Sequence, residues 1–275
     1  MKELQEKKGV SERRACKVIG QPRSSQRYEE EENEEEKRLI KRLHELAEKH
    51  PRYGYRRIRA VLKEEGWRVN SKRVQRLWRE EGLKVPQKQQ KKRALGDSGN
   101  SSQRQRAERI NQVWSYDFVM DQTEDGRSLK MLAIIDEYSR ECLTIEVERS
   151  LTAKDVVKTL SKLFKQRGEP EHIRSDNGPE FIANVVKEWL KKNGVKTLYI
   201  EPGSPWENAY SESFNSRLRD ELLKRELFRG IQEAKYLVKK YVEEYNQRRP
   251  HSSLGYKTPV AFARQQGVTV GAAQN

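Results

Sequence analysis

The chain has 275 residues, 34% of them apolar and 36% charged, and Lys plus Arg exceed Asp plus Glu by 15. Such an excess calls for a polyanionic partner, nucleic acid or an anionic membrane surface. Composition excludes several classes: the longest obvious apolar run, Met131 to Ile135, is far too short to span a bilayer. The start, Met1-Lys-Glu-Leu-Gln-Glu-Lys-Lys, lacks the apolar core of a signal peptide. Two cysteines, Cys16 and Cys142, give no disulfide framework, which fits a reducing cytoplasm.

Residues 1–28 form a small basic helical segment. Ser11 is placed to cap a helix running to Ile19, Gly20-Gln-Pro22 breaks it, and Ser24 to Tyr28 follows. The acidic run Glu29 to Glu36 is a helix start, where carboxylates meet the positive end of the helix dipole. Leu39, Ile40, Leu43, Leu46 and Ala47 then recur at helical spacing until Pro51. A second helix spans Tyr53 to Leu62. A third, Lys72 to Glu81, is capped by Asn70 or Ser71 and buries Val74, Leu77 and Trp78. Three short helices with Arg56, Arg57, Arg59, Lys72, Arg73 and Arg76 on their other faces suit an all-α helix-turn-helix domain at 29–83. Residues 84–110 lose their apolar residues to Pro, Gln, Gly, Ser and cations, the composition of a flexible basic linker.

From Val113 the pattern changes. Val113 to Met120, Lys130 to Asp136 and Cys142 to Val147 are three successive strands with turns at Asp125-Gly126 and Tyr138-Ser-Arg140. Thr152 caps a helix to Phe164, His172 to Ser175 is a short strand, Pro179 to Lys192 a helix, Val195 to Ile200 a fifth strand, and Asn208 starts another helix. This order predicts an α/β core at 111–228, a ribonuclease-H-like mixed five-stranded sheet with helices. An amphipathic helix, Ile231 to Tyr245, and a tail complete a C-terminal segment at 229–275.

Three acids in this core suit metal chemistry. Asp117 lies mid-strand, where an ionised carboxylate is costly to bury unless a cation meets it. Asp176 follows the fourth strand in a Ser-Asp-Asn-Gly turn, and Glu212 lies on the helix after it, with 35 residues between the two. In the predicted topology the first and fourth strands are neighbours, so all three acids converge and repel each other without a metal. Divalent ions about 3.5–4 Å apart activate an attacking oxygen and stabilise a leaving one in phosphoryl displacement, and magnesium accepts a few carboxylates with open coordination. Asp121, expected at or beyond the strand end, and Asp136, expected to serve its turn, are weaker candidates. The four histidines and two cysteines have no zinc spacing, and no Gly-x-x-x-x-Gly-Lys loop supports nucleotide hydrolysis.

The residues carry a resemblance. Arg13-Arg-Ala-Cys16, His50-Pro-Arg-Tyr-Gly-Tyr-Arg-Arg-Ile58, Trp114-Ser-Tyr-Asp117, Ser175-Asp-Asn-Gly178, Asn208 to Glu221 and Tyr245-Asn-Gln-Arg-Arg-Pro-His251 together resemble a DDE transposase of the retroviral-integrase superfamily. More narrowly, they resemble the second-frame protein (OrfB) of IS-three-type bacterial insertion sequences, over nearly the whole chain. The resemblance implies catalytic and metal-binding roles for Asp117, Asp176 and Glu212. It also implies magnesium, with manganese able to substitute, as two ions, and a basic Arg219 seven residues past Glu212. Where relatives often carry Gly or Pro, Ala209-Tyr210 stands here. Expected DNA contacts are Tyr53, Arg56, Arg57, Lys72, Arg73, Arg76, Asn177, Asn208 and Arg219. The implied activity is 3′-end cleavage and strand transfer on double-stranded DNA, terminal inverted repeats and target, by a bacterial, nucleoid-associated protein. Residues 1–112 carry no sustained heptad, so the chain acts either as a homo-oligomer in this form or with an upstream-frame protein or fusion segment. The competing readings are a non-catalytic DNA-binding regulator or assembly subunit, and a nuclease that cuts without joining.

Overall fold

The structure, a computed structural model, describes residues 9–26, 33–85, 106–175, 183–199 and 208–267. The chain divides into two compact units, residues 1–45 and 46–275.

In the first unit α1 (Glu12–Ile19) ends at Gly20, whose φ of 68° is the left-handed cap that lets its chain turn into α2 (Arg23–Gln26). Arg23 reaches back to Glu12 at 3.4 Å. The helix α3 (Glu34–Lys49) starts where the acidic run predicts, with the Asn33 carboxamide oxygen accepting from the N–H groups of Glu35 and Glu36 at 3.0 and 3.1 Å. The division between the units falls within α3.

In the second unit α4 (Tyr55–Glu64) buries Ile58 and Leu62, and α5 (Ser71–Glu80) buries Val74, Leu77 and Trp78. Asn70 is the cap of α5, its side chain accepting from Lys72 N–H at 3.0 Å, and α4 packs on α5. The sheet follows. Its strands are β1 (Val113–Gln122), β2 (Ser128–Asp136), β3 (Cys142–Glu148), β4 (His172–Ser175) and β5 (Lys196–Tyr199), in the order β3-β2-β1-β4-β5. β1 pairs antiparallel with β2, and β2 with β3; β4 is parallel to both β1 and β5. This is the mixed five-stranded sheet that the element order predicts.

Period-two alternation sorts the sheet into two cores. Trp114 and Tyr116 of β1, with Leu132 and Ile134 of β2, face α6 (Ala153–Arg167) and α7 (Asn184–Lys192). Val119 of β1, with Met131, Ala133 and Ile135 of β2, faces α8 (Ala209–Leu218) and α9 (Ile231–Gln247). The helix α9, assigned from its sequence to a C-terminal segment at 229–275, is a layer of this second core. Ala234, Val238, Tyr241 and Tyr245 pack with Phe214 and Leu218, and the Asn246 amide pairs with the Cys142 backbone at 2.9 and 2.8 Å. Amphipathicity shows that a helix has an apolar face but not which surface covers it.

Two further boundaries differ from expectation, and α8 has an end that the sequence left open. β1 continues to Gln122, so Asp121 lies inside the strand, opposite Leu129. The helix expected from Pro179 is described from Asn184, residues 179–182 lying outside the described ones. Finally α8 does not stop at Leu218 but widens into a π-helical turn, Arg219–Leu223, an insertion that no periodicity argument reveals.

Candidate active site

Asp117 stands at the centre of β1 on the same side as Val119, since it is paired with Ala133 of the second core. That side faces α8, so the helix that carries Glu212 lies over the strand that carries Asp117. Both acids line one open cleft of about 600 Å³, together with Asn215, Ser216, Arg219 and Asp220. The Asp117 carboxylate is held: Oδ2 accepts from Asn215 Nδ2 at 2.7 Å and Oδ1 from the Phe118 N–H at 2.8 Å. Asn215 is nearly buried one helical turn past Glu212, so a single face of α8 supplies both the second acid and the amide that orients the first. Sequence reasoning missed Asn215, although its three-residue offset from Glu212 was a usable signal. Asp220 is engaged by Lys224 at 3.1 Å.

Asp176 and Asn177 lie outside the described residues. β4 ends at Ser175, and its parallel register sets Ser115 opposite Arg174; along the chain Asp117 follows the first of these by two residues and Asp176 follows the second by two. Behind β4, the buried Arg174 guanidinium lies 3.5 Å from the buried Glu137 carboxylate. Among the described residues no three His, Cys, Asp or Glu side chains gather as a metal cluster. Asp117 and Glu212 themselves fit a hard divalent cation. Their oxygens share one solvent-open cleft, and each oxygen of a carboxylate can accept more than the one hydrogen bond just described at Asp117. Asp136 has the turn role expected of it: it is buried and accepts from the N–H groups of Asn111, Tyr138 and Ser139 and from Ser139 Oγ.

Of the expected DNA contacts, Arg56, Lys72, Arg76 and Arg219 are exposed, and Arg57 and Arg73 are half-buried. Arg76 pairs with Glu80 at 2.9 Å. Asn208 is buried at the start of α8 and offers little surface. Tyr53 requires a correction. Its ring is 5% exposed, stacked on His50 at 4.5 Å, and capped by the Arg57 and Arg249 guanidinia at 5.6 and 5.8 Å, so it presents no face to DNA. A tyrosine in a basic motif looks like a stacking platform, but here the cations cover it.

Those cations belong to a buried cluster beside α8. Arg249 is 1% exposed and makes a two-pronged ion pair with Glu221, at 2.7 and 2.5 Å. Next to it His251 packs edge-on against Tyr245 at 4.7 Å. Burial, and then the charges of Arg249, Arg217 and Arg57, push the His251 pKa down to about 2. Between the unfolded value of 6.5 and that folded value, the unfolded chain takes up a proton that the folded chain refuses. Stability linked to His251 is therefore intact above pH 6.5 and is lost as pH falls, at up to ~1.4 kcal/mol per pH unit. His251→Gln removes this linkage. The stability gap between wild type and variant, measured by urea unfolding, is expected to narrow by about 2 kcal/mol between pH 7 and pH 5. A gap that stays constant would show that His251 protonates in the folded protein.

Comparison with known proteins identifies the family. Two integrase core domain models match residues 107–205 and 193–259, and an HTH-like domain model matches residues 30–91. The chain is 37% identical over 272 residues to a 31.7 kDa protein of insertion element IS407 from Burkholderia multivorans, covering 99% of this chain and 97% of that one. It is 32% identical over 234 residues, 82% of each chain, to the InsK protein of insertion sequence element IS150 from Escherichia coli. In structure it is similar, with a TM-score of 0.51 at 14% identity, to a chain of the simian T-cell lymphotropic virus intasome. That match covers 62% of this chain and 59% of the viral one, and it bears on the fold alone. The chain belongs to the DDE transposases with an integrase core, the polynucleotidyl transferases of IS-three-type bacterial insertion sequences.

Proposed function

We propose that this transposase carries out metal-dependent cleavage at the 3′ ends of its element and then joins those ends to target DNA. The observation that carries the reading is Asp117 and Glu212, brought from a strand and a helix into one open cleft beside the end of β4. Asp176, one residue past that strand, completes the acidic set. Two magnesium ions, or manganese in their place, would be held by these three carboxylates and would supply activation of the attacking oxygen and stabilisation of the leaving one.

In the first step a water oxygen forms a bond to phosphorus and the bond to the 3′ oxygen breaks, leaving a 3′-hydroxyl on the element. In the second that hydroxyl oxygen attacks a target phosphodiester and the target's own 3′ oxygen leaves. The number of phosphodiester bonds is conserved in the second step, so it needs no energy cofactor, and the protein forms no covalent bond to DNA. Asn215 keeps the Asp117 carboxylate turned toward the cleft, and Arg219 on the cleft wall meets the DNA backbone. The helices at 29–83, through Arg56, Arg57, Lys72, Arg73 and Arg76, and the basic linker at 84–110 hold the rest of the duplex. The chain works in the bacterial cytoplasm as a homo-oligomer on DNA, or joined to an upstream-frame segment.

The test is an assay on terminal-repeat duplex with magnesium, comparing wild type with Asp176→Asn. Nicked and joined products from wild type alone are expected. Identical products from both proteins would remove the catalytic reading. Nicking without joining would make the protein a nuclease, and binding without products a regulator.

A further inference from the structure

Next to the acidic cleft lies a second open cleft of about 810 Å³, bounded by Arg52 and Arg57 on one side and by Ser213, Ser216 and Arg217 of α8 on the other, with Arg249 also on its wall. Ser216 and Asp220 line both clefts, so the two are continuous along one face of α8. The charge balance of the second cleft is lopsided. Both oxygens of Glu221 are taken by Arg249, and Asp220 is engaged by Lys224. Among the described residues no carboxylate pairs with Arg52, Arg57 or Arg217. The Arg57 guanidinium is held below its ordinary pKa by burial and by the Arg249 charge, which measures the crowding. Arg217 is already aimed, its Nη1 donating to the Ser213 carbonyl at 2.6 Å. Arg249, buried, keeps an Nη1 donor with no hydrogen-bond partner.

A site that gathers cations, anchors one of them and leaves a buried donor unmatched lacks an anion. We propose that this cleft seats a backbone phosphate of the DNA strand whose reacting phosphodiester lies between Asp117 and Glu212. The inference rests on the proposed function and adds Arg52 and Arg217 to its contacts. Strand and acids would otherwise repel, and a seated phosphate on the same face of α8 gives the strand a fixed approach. Both hydroxyls, Ser213 and Ser216, offer neutral donors to the same oxygens.

The experiment measures binding of the full chain to a blunt duplex of arbitrary sequence, without divalent metal, by fluorescence anisotropy over a range of salt. Removing one cation that neutralises a phosphate lowers the slope of log K against log salt by about 0.9. Because both arginines serve one phosphate, Arg217→Gln and Arg52→Gln are each expected to lower it by part of that amount and the double variant by about 0.9, with the melting temperature kept. Lys239→Gln, an exposed change of equal charge on α9, is expected to leave the slope near wild type. Slopes for the arginine variants equal to wild type, or no lower than for Lys239→Gln, would overturn the seat while leaving the proposed function standing. A wild-type chain that fails to bind duplex at all would overturn that function and the seat together.

Discussion

Asp117→Asn and Glu212→Gln are each expected to reduce 3′-end cleavage and joining at least a hundredfold in magnesium, about 2.7 kcal/mol of barrier, while DNA binding is kept. The geometry separates charge from shape. At position 117 an asparagine oxygen still accepts from the Asn215 amide, so the strand and α8 keep their contact, and only the local bond from the Phe118 N–H to the other oxygen is lost. What goes is the negative charge a divalent cation needs. Glu212 is exposed, so its exchange for Gln disturbs no packing. A second readout follows from mass action: an ion that binds the folded chain and not the unfolded one raises its stability. Added magnesium should therefore raise the melting temperature of wild type and raise it less for either variant. Activity within tenfold of wild type for both variants would remove these acids from the chemistry. Magnesium stabilising all three proteins equally would place the ion elsewhere.

The features legible in the sequence are those set by short-range rules. The strand extents were legible, and along β1 the pleat puts Trp114 and Tyr116 on one side and Asp117 and Val119 on the other. Asn70 and Thr152 marked helix starts, each through a hydrogen bond a few residues away; at α6 the Asp155 carboxylate takes both the Thr152 N–H and hydroxyl, at 2.8 and 2.7 Å. Arg219 shares the cleft with Glu212 because seven residues is two turns of α helix. The π-helical turn begins only at Arg219, so it does not disturb that relation. It does reset everything after it. Residues past 219 advance by a smaller angle each, which is how Asp220 faces the cleft while Glu221 turns inward to Arg249.

Features set by distant partners were not legible. Arg57, Tyr53 and Arg249 all sit in strongly basic segments, where a solvated, DNA-facing role is the natural reading. Arg249 is instead buried on one carboxylate, Glu221, which lies in the π-helical turn, and it covers the Tyr53 ring together with Arg57. The packing of α9 across β3 has the same character, since Asn246 meets Cys142 across 104 residues of chain. Two basic stretches far apart in the chain, His50 to Arg57 and Arg248 to His251, meet in one cluster through Tyr53, Arg57 and Arg249.

That cluster carries the largest expected effect on stability. Arg249→Met should destabilise the protein by about 3–5 kcal/mol, the range for removing one partner of a buried ion pair. The side chains of Arg249 and Glu221 are only 2% and 14% exposed, so water cannot take over the missing partner's role. Without Arg249, the Glu221 carboxylate loses its two-pronged partner beside the buried rings of Tyr53, Tyr241 and Tyr245. Removing Glu221 instead, as Glu221→Leu, leaves Arg249, Arg57 and Arg217 to repel one another, and a similar loss is expected. The double variant Arg249→Met, Glu221→Leu removes both charges and keeps the volume, so most of the loss should return. Guanidinium unfolding of the four proteins closes this cycle. Single variants that lose less than about 1 kcal/mol would show a pair as weak as those at surfaces, and a double variant no better than the singles would show that shape, not charge, sets the cost. Because Glu221 belongs to the turn that continues α8, a loosened pair also frees the helix that presents Glu212 and Asn215. Arg249→Met is therefore expected to lower strand transfer at temperatures where the chain is still folded, although Arg249 does not line the acidic cleft.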